Sequence, residues 1–308
     1  MLTVLDAHGI KNSRDFRPMR QSTLGTADTC MKRLQFLFDP TIPYGTGEFR
    51  IVGTSYHAGL ELYYGSQGTA TREECIAKAY AEWRVEKDKS DYENIVWNSS
   101  EQEAYDRVAW YLNFYFDLPV GEETNQRWDL KVWEVMGVEV EIYTPIPWQA
   151  GWAVKGSIDL VLRHRTTGQW VLHDHKTATS KWDKNKHSAK KTNQPGWYIQ
   201  WFRYCMIETQ GFDPGIPRFC FGVVSPTKKG GDTLMFEQRY TGTTENEIKA
   251  ILAKSQVLAA VADNNGPYYP NQQSFLCSEK WCDFWKMCEF GDPNYFVTDT
   301  VNDNKENI

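Results

Sequence analysis

The sequence predicts an α/β protein with a helical front third, on three observations. Up to about residue 130 the readable segments are helical, and two capping boxes, Thr71 with Glu74 and Ser100 with Glu103, open helices there. From Val132 the texture changes to β-rich runs separated by turn residues. Beyond these, an aromatic helix, two more strands and a final helix follow in turn.

The elements run as follows. Residues 1–20 are mixed and polar and read as an arm. A helical stretch from about Thr26 carries Cys30, Leu34, Phe36 and Leu37, and a Pro/Gly-rich turn from Pro40 to Gly47 follows. IVGTSYHAGLELYYG is a second helix ending at Gly65, and the two capped helices come next. VEVEIYTPI alternates as a strand, and AVKGSIDLVLR and QWVLHDHKT are β-rich runs around the turn Arg165–Gly168. A lysine-rich stretch, 180–193, leads to a helix from Trp197 to Thr209, stopped by Gly211. Strands over Arg218–Val224 and Leu234–Tyr240, then a helix from Thr244 to Ala262, complete the core. The expected division is an arm (1–20), a helical subdomain (21–130), a core (131–262), a cysteine segment (263–292) and a disordered acidic tail (293–308).

Composition narrows the function. A net charge of −6 with 41% hydrophobic residues describes an ordinary globular chain, not a basic nucleic-acid coat, yet it permits one local basic groove. No apolar run approaches the roughly 20 residues of a membrane span, and the first residues show no export signal. A cytoplasmic protein without a membrane partner is expected. Its seven cysteines are then reduced thiols or metal ligands rather than a disulfide framework.

The hairpin holding Asp159, Asp174 and Lys176 is the most informative segment. Aspartate is depleted inside strands, yet Asp159 lies among Ile158, Leu160, Val161 and Leu162. With Thr166 and Thr167 as turn residues, Asp159 lies directly opposite Asp174; with Thr167 and Gly168, it faces Lys176. Either way the three side chains share a face unless a bulge intervenes. Two carboxylates held that close repel, and a hard divalent cation, Mg²⁺ or Mn²⁺, keeps both ionised. Such an ion activates water and stabilises phosphoryl charge, and Lys176 adds a cation. The bland alternative is a surface hairpin of solvated ion pairs.

Four pieces, in order, break that tie. Gly53-Thr-Ser-Tyr-His57, Gly156-Ser-Ile-Asp159, Asp174-His-Lys176-Thr177 and Gln200-Trp-Phe-Arg-Tyr204 resemble the G-x-x-x-H, G-x-x-D, D-x-K-T and Q-x-x-x-Y segments of the PD-(D/E)XK nucleases. The branch is that of the RecB-like exonucleases, which includes the CRISPR spacer-acquisition nucleases. With the cysteines, the resemblance covers roughly residues 20–290. It implies a mixed central sheet flanked by helices. It implies that His57, Asp159 and Asp174, with the backbone carbonyl of His175, bind the metals, and that Lys176 is catalytic. Gln200 and Tyr204 would orient the site or the DNA. Gln194 and Tyr198 fit the same spacing, but Pro195 argues for the later pair. An upstream acid is Glu139 or Glu141. On its own, His57 would be read as a structural hydrogen-bonder; the side chains of His173 and His175 point away from Asp174.

Cys277, Cys282 and Cys288 lack a fourth soft ligand, and Cys30 is the candidate for a Zn²⁺ or iron–sulfur site. By resemblance these four hold a [4Fe–4S] cluster, although the branch's commoner spacing begins C-x2-C, which leaves zinc open. Such a site would staple distant parts of the chain. Lys181, Trp182, Lys184 and Lys186, directly after Lys176, would contact phosphates and stack a base, or be a solvated charged loop. The expected function is a metal-dependent deoxyribonuclease, an exonuclease on single-stranded or end-resected DNA in recombination, repair or replication. Helicase, recombination or CRISPR-adaptation partners fit, in a host cytoplasm if the chain is of phage origin. The alternatives are a DNA-binding scaffold with an inert nuclease fold and an iron–sulfur sensing protein.

Overall fold

Two long strands, β3 (Trp133–Pro145) and β4 (Trp152–His164), pair antiparallel as the spine of a mixed sheet. The computed structural model describes residues 1–39, 47–89, 95, 97–121, 125–179, 192–228, 231–273, 277–278, 282 and 284–288. The other strands are β1 (Leu2–Asp6), β2 (Arg17–Met19), β5 (Trp170–Thr177), β6 (Arg218–Pro226) and β7 (Leu234–Thr241). Their order is β1-β3-β4-β5-β6-β7, with β2 beside β4. β5 and β6 run parallel, which requires a crossover, and α6 (Gln194–Gln210) supplies it. The remaining helices are α1 (Gln21–Thr29), α2 (Met31–Phe38), α3 (Glu48–Gly65), α4 (Arg72–Lys89), α5 (Glu101–Asp117) and α7 (Glu245–Asp263). No helix among the described residues is long and apolar enough to cross a membrane.

The chain divides into two units, Met1–Met19 with Thr46–Leu252 and Arg20–Gly45 with Ala253–Ile308. In the first, α3 and α5 pack Ile51, Tyr56, Leu60, Tyr111 and Leu112 against Leu160, Leu162, Val171 and Phe236 of the sheet, and α4 packs on the two helices. Each such side chain stabilises the fold by about 1.5–3 kcal/mol through burial. Helix approach is close: a Cβ at Gly59 would lie 2.8 Å from Leu112 Cδ1 and 3.0 Å from the Cys75 carbonyl oxygen. Both capping boxes form. Glu74 accepts from Thr71 N–H at 2.8 Å and Glu103 from Ser100 N–H at 2.9 Å, and Thr244 with Glu247 makes a third.

β4 serves two neighbours along one edge. β2 pairs with Trp152–Val154 and β5 with Leu160–Arg163. Between them, among the described residues, positions 155–159 have no ladder partner on that side. This split positions the site.

Three expectations are corrected. The N-terminal stretch is no arm: it gives β1 and β2, with Leu5 and Met19 fully buried. Their parallel partners lie more than a hundred residues away, so no local hairpin signal marks them. The helix expected through Cys30 is broken there, because Cys30 is extended (φ −165°, ψ 117°) and separates α1 from α2. Finally, α6 begins at Gln194, with Pro195 in its first turn, where a missing N–H costs nothing.

Candidate active site

The β4–β5 ladder ends at Leu160 opposite His173, the register that sets Asp159 and Asp174 next in line. A four-residue loop, Arg165–Gly168, makes this register, with Gly168 left-handed at φ +72°. Past that point the strands part. The Asp159 carboxylate fills the opening and accepts the His175 N–H through Oδ2 at 2.7 Å. Glu139 faces it from β3, where the ladder shifts register after Val135. Glu139 has φ +46°, a left-handed backbone that non-glycine residues rarely adopt. Ser157 Oγ donates to Glu139 Oε2 at 2.8 Å.

His57 comes from α3. Its Nε2 is 2.9 Å from the His175 carbonyl oxygen, which only accepts, so Nε2 carries the proton. The Nδ1 lone pair then faces Asp159 Oδ2 at 3.5 Å and Glu139 Oε1 at 4.0 Å. Burial lowers the His57 pKa against the pull of Glu139, which favours the neutral, metal-binding form. One ligand atom each from His57, Glu139 and Asp159 lies within 4.8 Å of the others.

Asp174 is turned differently. Lys176 Nζ is 2.6 Å from Asp174 Oδ2, a contact of charges without hydrogen-bond alignment. Gln194 Nε2 donates to Asp174 Oδ1. Burial works against the Lys176 ammonium, but Asp174 and Asp159 outweigh it and hold it charged. The acids carry the strain: burial first, then Asp174, pushes Asp159 up to about 8. Burial first, then Asp159, pushes Glu139 up to about 7. Two half-buried acids that resist ionisation together, beside a neutral imidazole, fit a hard divalent cation.

Behind the site, Trp128 Nε1 donates to His173 Nδ1 at 3.1 Å. That leaves His173 Nε2–H to donate to His175 Nδ1, also at 3.1 Å. The buried imidazoles thus pin the strand carrying Asp174 and Lys176, and a Cβ at Gly222 would come 2.4 Å from His173 Nε2.

The structure brings together His57, Asp159, Asp174, Lys176 and the His175 carbonyl. Of the two acids left open, Glu139 belongs to the group, whereas Glu141 pairs with Lys11. Of the two candidate pairs, Gln194 rather than Gln200 reaches Asp174, and the Tyr198 ring lies 3.0 Å from where a Gly156 Cβ would be. Tyr204 instead packs edge-on to Trp201 at 5.8 Å. Lys181, Trp182, Lys184 and Lys186 lie outside the described residues. Sequence reasoning missed Ser157 as a Glu139 partner and Trp128 as the donor to His173; neither has a spacing signal.

In the second unit, Cys30, Cys277, Cys282 and Cys288 line one pocket with Lys32 and Arg33, and among the described residues no acid or imidazole lines it. Phe36 and Phe284 pack beside it, ring centroids 5.1 Å apart. Burial, then the neighbouring thiol Cys30, raises Cys277; burial is also the leading cause for Cys282. This is a soft donor set.

A split mixed sheet bearing clustered acids, an imidazole and a lysine suits the hydrolysis of phosphodiester bonds. The family model described as the PD-(D/E)XK nuclease superfamily matches residues 21–289. The chain belongs to that superfamily and is a nuclease. No curated protein matches its sequence. Among solved structures it is similar to SSO0001, at 13% identity and TM-score 0.36, covering 88% of this chain and 96% of the other. It is also similar to a candidate exonuclease from Eubacterium rectale, at 11% identity and TM-score 0.40, covering 90% and 92%.

Proposed function

We propose that this nuclease is a Mg²⁺- or Mn²⁺-dependent deoxyribonuclease that digests single-stranded or end-resected DNA from its ends. The carrying observation is the mutual approach, within 4.8 Å, of ligand atoms from His57, Glu139 and Asp159, with the Asp174–Lys176 pair in the same split. His57 Nδ1, Glu139, Asp159 and Asp174 hold the cation, and the His175 carbonyl has a second lone pair to offer. Such a cation, when bound, polarises a phosphoryl oxygen and lowers the pKa of its water. Lys176 places an ammonium where negative charge builds on the phosphoryl oxygens. Gln194 orients Asp174, and Tyr198 covers Gly156. The ordered resemblance to RecB-like exonucleases supports digestion from ends and a role in recombination, repair or replication, with helicase or CRISPR-adaptation partners, in the cytoplasm.

Labelled single- and double-stranded DNA, with blocked and free ends, tests this in Mg²⁺ or Mn²⁺. Wild type should degrade free-ended DNA, and Asp174→Ala and Lys176→Ala should not. Equal activity in all three would overturn the assignment.

The four thiols fit a [4Fe–4S] cluster. Four soft thiolate donors suit either a tetrahedral zinc or an iron–sulfur cluster, and the resemblance to the RecB-like branch is what favours the cluster. Anaerobically purified protein should be brown and absorb in the visible; a colourless, zinc-containing protein would refute the cluster.

A further inference from the structure

We infer that Lys155 and Lys11, held over the ring of Tyr143, form a phosphate subsite for a nucleic-acid strand leaving the metal-binding split. The inference rests on the nuclease reading and adds where the strand runs. Register places Tyr143 directly opposite Lys155 and Glu141 opposite Ser157. Ser157 and Lys155, two apart, share a face, and Ser157 Oγ already touches Glu139 at 2.8 Å. The face therefore continues from the candidate metal ligands to the lysines without a break.

The charges are arranged to receive an anion. Lys155 Nζ lies 5.3 Å and Lys11 Nζ 5.7 Å from the Tyr143 ring centroid, within cation–π range, so one ring aligns both. A pocket of about 120 Å³ opens between them; Ser13 and Phe16 also line it, and among the described residues no acid does. That volume is far below the roughly 300 Å³ and more of small-molecule sites, and suits a single phosphate. Glu141, the nearby acid, is neutralised by Lys11 and accepts from Tyr143 Oη at 3.3 Å. Lys155 has no carboxylate partner among the described residues. In a chain of net charge −6, a lysine without a carboxylate partner beside a second, paired lysine is a local exception.

Distance sets the substrate. Lys155 is four residues from Asp159, about 13 Å along an extended strand. That path is at most about four nucleotides from the scissile linkage, the figure for the roughly 3.4 Å rise of a duplex strand, and fewer for an extended single strand. Ammonium groups contact phosphates without reading bases, so the subsite acts on length and not on sequence.

The test is fluorescence anisotropy of the full chain in EDTA, with labelled single-stranded oligonucleotides of 3 to 15 nucleotides. Lys155→Ala and Lys155→Gln should weaken binding several-fold for oligonucleotides longer than about four nucleotides, whatever their sequence. They should lower the salt slope by about one ion, and Lys155→Arg should restore both. Wild-type affinity for the long oligonucleotides in both neutral variants would overturn the subsite, as would an equal loss at every length. Hydrolysis by wild type in Mn²⁺, measured separately, reports on the nuclease reading alone. Length-dependent loss of binding in a protein that cleaves nothing would keep the subsite and reject the nuclease reading.

Discussion

Asp159 and His175 are joined across the split by a 2.7 Å bond from the His175 N–H to Asp159 Oδ2, just where the β4–β5 ladder has run out. The carboxylate thus replaces a lost strand pairing and is also a candidate metal ligand. These roles separate by substitution. Asp159→Asn keeps an oxygen to accept the N–H and removes an acid that resists ionisation where it sits, so the metal-free protein should melt at or above the wild-type temperature. Asp159→Ala leaves that N–H unsatisfied and should be less stable than Asp159→Asn by about 1–3 kcal/mol. Neither variant should show a Mn²⁺-dependent shift. Melting curves with and without Mn²⁺ check this, and a full metal shift in Asp159→Asn would remove Asp159 from the ligand set.

Glu139 carries strain that a glycine would not. Its φ of +46° costs a non-glycine residue on the order of 1–2 kcal/mol. Glycine normally destabilises a strand relative to alanine, but here the order should reverse. Glu139→Gly should unfold at higher urea than Glu139→Ala, with both losing cleavage. The usual order would mean that the left-handed backbone is not retained in solution.

How much of this was legible depended on whether the signal was local. The capping boxes and the stop at Gly211 follow from neighbouring residues and are present, whereas the hairpin register stays open between two pairings until the structure sets Asp159 in line with Asp174. Asp159, Asp174 and Lys176 betrayed themselves by charge inside apolar runs. Glu139 could not be told from Glu141, because the register shift and left-handed turn that aim it into the site have no sequence signature. β1 and β2 were hidden for another reason: their pairing is parallel and distant. Pro195 misled because its cost depends on position, large inside a helix and absent in the first turn.

The raised acids make metal binding pH-dependent. An acid whose folded pKa lies above its unfolded value favours the protonated native state. Metal-free stability from Asp159 and Glu139 therefore falls as pH rises from about 4 towards 8, the range between their ordinary values and about 8 and 7. Cation binding must displace those protons. The Mn²⁺-induced rise in melting temperature at fixed concentration should grow from pH 6 to pH 8.5, with proton release in calorimetry near pH 7. An equal shift at both ends would mean that these carboxyls are already ionised without metal.

Gln194, not Gln200, should matter to turnover. Its amide donates to Asp174 Oδ1 while Lys176 occupies the other oxygen, so it fixes the rotation of that carboxylate. A hydrogen bond to a charged group contributes about 1.5–3 kcal/mol, equivalent to roughly 10- to 100-fold in rate. Gln194→Ala should lower kcat on DNA by that factor, and Gln194→Glu by more, because a second anion would repel Asp174. Gln200→Ala, a turn and a half further along α6, should cleave at close to the wild-type rate. Single-turnover cleavage with saturating Mn²⁺ separates them, since it excludes product release. A large loss in Gln200→Ala with none in Gln194→Ala would restore the later pair as the orienting residues and leave the Gln194 contact without a role in the reaction.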